Sequence, residues 1–172
     1  MVAVHSAVGG TGPGRRYATE QVNNAYAVLL SSQFQKFCRD LHSLAADYIA
    51  NLGPPSIRKV VMVRFTEGRK LDTGNPNPGN LGSDFNRFGF DFWDKVHSVN
   101  PKNARRQEKL KELNVWRNAI SHHDFAAPQL AGRNFIRLKE VTGWRRTCDA
   151  LATEFDNVVL RHLMTFGGAA PW

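Results

Sequence analysis

The sequence predicts an all-α fold, an up-and-down bundle of about four to five helices. Three observations carry that reading. Apolar residues recur at steps of three and four over long runs, breaker residues fall between those runs, and no two segments of strand character are placed to pair. The 172 residues suit one domain with a buried core, and a content of 42% hydrophobic and 22% charged residues is that of a folded soluble chain.

Residues 1–18, with Gly9-Gly-Thr-Gly-Pro-Gly14 and then Arg15-Arg16, read as a flexible tail. The Gly-rich run lacks the Gly-Lys-Ser/Thr ending that a phosphate-binding loop needs. The bundle is expected over residues 19–166. Thr19 can cap a helix whose stripe is Tyr26, Leu30, Phe34, Phe37, Leu41, Leu44, Tyr48 and Leu52, and Gly53-Pro54-Pro55 stops it. His42 within it reads as a surface or packing residue. Ser56 can open a second helix with Ile57, Val60, Val61 and Phe65, although Val60-Val-Met-Val63 has strand propensity too. Residues 72–84 are the longest breaker-rich stretch, expected as a loop beside a functional channel or a subunit seam. Phe85, Phe88, Phe90, Phe92 and Trp93 follow at helical spacing and read as core. Thr142 can cap the last helix, with the stripe Trp144, Cys148, Leu151, Phe155, Val158 and Leu163, and residues 167–172 form a C-terminal tail.

Asn100 and Pro101 open the helix with the most chemical content. Leu110, Leu113, Trp116 and Ile120 make its buried stripe, and it ends in Arg117-Asn-Ala-Ile-Ser-His-His-Asp124. Asn118 and His122, four apart, share a face, while Arg117 lies roughly 140° around the axis from His122. One helix does not aim both at one atom; a second copy across a two-fold axis would let them converge and would supply two histidines. These residue types suit RNA cleavage without a metal. Histidine carries protons near neutral pH, arginine presents a fixed fork to phosphate oxygens, and the Asn118 amide can orient the imidazole or bind phosphate. The same ending also reads as a plain polar terminus whose basic groups favour the negative end of the helix dipole.

Arg117-Asn118-x-x-x-His122 resembles the arginine, polar residue, three variable residues, histidine signature of the HEPN (higher eukaryote and prokaryote nucleotide-binding) domains, and the chain looks like a small stand-alone bacterial member. The resemblance implies a helical bundle that homodimerises through the motif helix. It also implies a metal-independent endoribonuclease that leaves 2′,3′-cyclic phosphate ends, in a toxin or phage-defence setting. Arg117 and His122 would then be catalytic, with Asn118, His123 and Asp124 in support. Where one toxin branch has a tyrosine modified by its antitoxin partner, this chain has Asp124. The alternative is a non-catalytic module that binds RNA, a nucleotide or a protein.

The 23 basic against 15 acidic residues give a net charge of +8, which favours an anionic partner such as RNA. The excess is local. Residues 101–117 hold six basic and two acidic side chains, residues 133–146 five and one, and residues 19–53 two and three. Arg105, Arg106, Lys109, Lys111 and Arg137 are therefore the candidate RNA contacts. Cys38 and Cys148 fall in apolar stripes and read as small core residues, and no metal-ligand spacing occurs. With no cofactor motif, no secretory signal and no membrane-length apolar window, the expectation is a cytoplasmic protein without a cofactor. An antitoxin or other regulatory protein is a possible partner.

Overall fold

In a computed structural model, which describes residues 1–9, 15–168 and 170–172, the chain is all-helical, as the periodicity predicts. Three long helices form its frame: α2 (Arg15–Leu52), α7 (Lys102–His122) and α8 (Leu138–Gly167). Contacts between them give their directions. Asn23 near the start of α2 donates to the Ile136 carbonyl just before α8 (3.0 Å), and Phe34 meets Phe155 with ring centres 5.9 Å apart. At the far end, a Cβ on Gly167 would lie 2.1 Å from the Tyr48 hydroxyl, so only glycine permits that approach. α2 and α8 therefore run parallel. α7 runs against both, since Arg106 in its first half pairs with Glu154 (3.2 Å) and Glu112 farther along accepts from Trp144 Nε1 (3.3 Å).

Five shorter α-helices accompany them among the described residues: α1 (Val2–Val8), α3 (Arg58–Thr66), α4 (Lys70–Thr73), α5 (Pro78–Phe85) and α6 (Phe92–Val99). Within residues 1–18, expected as a tail, α1 lies against α2 with none of its residues buried. The Gly-rich run lies, from Gly10 to Gly14, outside the described residues. α2 starts at Arg15, so Thr19 sits inside the helix and is not its cap. Its last turns present a different face from the one expected: Leu44 and Leu52 are exposed, while His42, Ala45 and Ala46 are buried. The cause is a change of neighbours along 38 residues, because α3, α4 and α5 cover the later turns from another side. α3 is a helix and not a strand, yet none of its residues is buried and Val60 is 69% exposed.

Residues 72–84 are not one open loop. Asn77 accepts the Asn80 N–H (2.9 Å) with Pro78 at the first helical position, and this cap starts α5. Of the aromatic group, Phe85, Phe88 and Phe92 are core, as expected, and Phe90 and Trp93 pack half-buried against it: Phe85 stacks on Phe92 at 4.5 Å and Phe155 closes over Phe92 at 4.8 Å. α8 begins four residues before Thr142. The Glu140 carboxylate accepts the Arg137 N–H (2.9 Å) and holds Arg133 (2.8 Å), which fixes the helix start at Leu138. All six residues of its expected stripe are buried. Burial pushes the Cys38 thiol well above its ordinary value and the Cys148 thiol up to about 12, as small core residues require.

Candidate functional site at the end of α7

The buried stripe of α7 holds Leu110, Leu113 and Trp116, with Ile120 half-buried beyond them. That stripe anchors the helix and turns Asn118 and His122 to solvent, with Arg117 half-buried at the border. Arg117 Nη1 donates to Asn118 Oδ1 at 3.2 Å. No hydrogen bond joins Arg117 to His122, and the His122 ring has no hydrogen-bond partner among the described residues. One copy of α7 therefore leaves the guanidinium and the imidazole apart, as the 100° step of a regular helix requires.

His123 and Asp124 end the helix. His123 adopts the left-handed conformation (φ 50°), its N–H reaches the Ile120 carbonyl (3.4 Å), and the Asp124 N–H reaches that of Ala119 (3.0 Å). This is the Schellman pattern with histidine where glycine is usual. Asp124 Oδ1 then accepts the Ala126 N–H at 3.0 Å and turns the chain away. Both residues thus have a structural task in terminating α7.

The segment before α5 docks on this end of α7. Asn75 Nδ2 donates to Asn118 Oδ1 (2.9 Å), and buried Asn114 donates to the Pro76 carbonyl (3.2 Å). From the other side, Gln35 of α2 donates to the carbonyls of Leu71 (2.8 Å) and Gly74 (2.7 Å). Asn75 was not identifiable as a site residue from sequence, because 43 positions separate it from Asn118. The only signal is the density of asparagine between Gly74 and Asn80.

The candidate RNA contacts divide. Lys102, Arg105, Arg106, Lys109 and Lys139 line a cleft of about 560 Å³ between α7 and α8. Its two carboxylates are engaged: Glu112 by Lys109 (2.6 Å) and Glu140 by Arg133 (2.8 Å). Around the axis of α7 this cleft is roughly 160° from Asn118 and His122. Lys111, seven positions before Asn118, is exposed on the motif's own face. Arg137 stands before α8 with its guanidinium 5.9 Å from the Phe135 ring, outside the cleft.

Among the described residues no three His, Cys, Asp or Glu side chains gather as a metal site, and no helix is long and apolar enough to cross a membrane. The chain matches no protein-family model, no curated protein and no solved structure.

Proposed function

We propose that the protein is a HEPN-type, metal-independent endoribonuclease that works as a homodimer. The observation that carries the reading is the presentation of Arg117, Asn118 and His122 on the exposed end of a basic helix whose opposite stripe is buried. In this reading α2, α3, α6, α7 and α8 are the bundle, and two copies of α7 meet across a two-fold axis. One His122 takes the proton of the ribose 2′-hydroxyl as that oxygen attacks phosphorus. The second His122 protonates the leaving 5′-oxygen as the phosphorus–oxygen bond breaks. Arg117 stabilises the negative charge that builds between these events. The products are a 2′,3′-cyclic phosphate and a 5′-hydroxyl, and no metal takes part.

Lys111 would hold the strand near the scissile phosphate, and Arg105, Arg106 and Lys109 would hold RNA farther along. A toxin or phage-defence role in the cytoplasm, with an antitoxin or another regulatory protein as partner, suits such an activity. The test is incubation of the purified chain with single-stranded RNA in EDTA. Cleavage should persist in chelator and disappear in Arg117→Ala and His122→Ala.

The position of the α7–α8 cleft favours a second reading, because its cations lie on the other side of α7 from the motif. A non-catalytic RNA- or nucleotide-binding module would use the cleft alone. It would bind with steep salt dependence and form no cyclic phosphate under any condition.

A further inference from the structure

The amides between Gly74 and Asn118 form a hydrogen-bonded chain whose polarity is fixed at both ends. At one end, the Asn80 backbone N–H can only donate, and it donates to Asn77 Oδ1 (2.9 Å). The Asn77 amide must therefore turn its Nδ2 away, where it donates to Asn75 Oδ1 (2.8 Å). This in turn forces the Asn75 Nδ2 toward Asn118, whose Oδ1 it reaches at 2.9 Å. At the other end stands Arg117, which has donors and no acceptor, so the Asn118 atom 3.2 Å from its Nη1 must also be the oxygen. Two independent constraints thus agree on every amide orientation, each of which would otherwise be open to a flip.

The consequence concerns Asn118. Its Oδ1 accepts from two donors, which uses both lone pairs, while its Nδ2 has no partner among the described residues. The side chain is exposed and, four positions before His122, lies on the same face of α7, so the free –NH₂ is open to solvent. An amide held in this way cannot accept a hydrogen bond from an imidazole. It can only donate, and the acceptor it suits is an anionic phosphoryl oxygen.

We infer that Asn75 is a positioning residue: it locks the Asn118 amide with the –NH₂ outward as a donor to a phosphoryl oxygen of RNA bound at the end of α7. This rests on the function proposed above. Asn75 is itself held, because the Asn80 Nδ2 donates to its carbonyl (2.8 Å). Gly74 leaves room for that arrangement, since a Cβ there would come within 2.7 Å of Asn80 Nδ2.

Asn75→Asp tests the inference with a change of one atom. The aspartate keeps the oxygen that Asn77 donates to, but it sets an acceptor against Asn118 Oδ1. Asn118 cannot relieve this by flipping without turning its –NH₂ onto Arg117. The melting temperature should stay near wild type, and kcat for RNA cleavage should fall roughly tenfold with KM within about twofold, as for loss of a donor used in the transition state. Asn118→Ala, which removes the donor without adding a charge, should show the same split.

A second readout does not depend on turnover. With ¹⁵N-labelled protein and a single-stranded 2′-deoxy oligonucleotide, which lacks the attacking hydroxyl, the Asn118 side-chain –NH₂ signals should shift in wild type and not in Asn75→Asp. Equal shifts in both proteins, no shift in wild type, or cleavage by Asn75→Asp at the wild-type rate would overturn the inference. A wild-type protein whose Asn118 signals shift but which never cleaves RNA would defeat the proposed nuclease and leave the positioning role of Asn75 standing.

Discussion

His42 on α2 and His122 at the end of α7 are the same side chain under opposite conditions. His42 is fully buried between Phe85 and Phe88, with its Nε2 3.1 Å from the Asp84 carbonyl and its Nδ1 3.4 Å from Arg69 Nη1. Arginine only donates, so Nδ1 accepts, Nε2 carries the proton, and the ring is neutral. Burial is the main cause that holds its pKa down at about 4, with Arg69 and Arg87 adding to the effect. His122 is exposed and has no hydrogen-bond partner among the described residues. The first cluster uses its polar groups to tie α2, α4 and α5 together. At the end of α7, by contrast, the His122 ring and the Asn118 –NH₂ have no such partners among the described residues. A polar cluster is therefore read by whether its hydrogen bonds close on themselves, and residue type alone does not decide it.

The largest expected effect comes from opening the closed cluster. Asp84 is fully buried and accepts the N–H groups of Lys70 (2.9 Å) and Leu71 (2.8 Å). Asp84→Ala strands both donors and should cost roughly 3 kcal/mol in chemical denaturation. Next is pH. The unfolded chain protonates His42 near its ordinary 6.5, whereas the folded chain resists until about 4. This contribution is complete above pH 6.5 and is lost as pH falls toward 4, to a total of about 3 kcal/mol. Melting temperature followed over that range should decline in wild type, and the decline should flatten in His42→Leu.

Smaller effects belong to the end of α7. His123 holds a left-handed conformation that glycine adopts without strain, so His123→Gly should stabilise the protein by about 1 kcal/mol. Arg117→Ala and His122→Ala remove groups that close no internal network beyond the exposed contact with Asn118, and should shift stability by less than about 0.5 kcal/mol. A loss of several kcal/mol in either would place them with the closed cluster and erase the contrast.

Much of the frame was legible in the sequence. The stripes of α7 and α8 follow the helical period, and apart from the half-buried Ile120 the residues they name are buried. The early part of α2 behaves likewise, but Leu44 and Leu52 do not, because periodicity records a helix face and not which neighbour covers each turn. Residues 72–84 depart from the expected loop for a related reason: Gly, Pro and Asn mark breaks, yet Asn77 and Pro78 there act as a helix start. Of the site, Arg117, Asn118 and His122 were visible as a spacing within one helix. Asn75 was not, since only the fold brings it to Asn118. The division of the basic residues was legible in part: helical spacing sets Lys111 beside Asn118 and His122, but only the packing of α8 on α7 gathers Lys102, Arg105, Arg106 and Lys109 into a cleft with Lys139.

The measurement that tests the central claim most directly is the chemistry of the RNA ends. Single-stranded RNA incubated with the wild-type chain in EDTA should yield 2′,3′-cyclic phosphate and 5′-hydroxyl termini, and His122→Ala at matched stability should yield none. Cleavage by His122→Ala at the wild-type rate, or products ending in 3′-hydroxyl, would contradict the account.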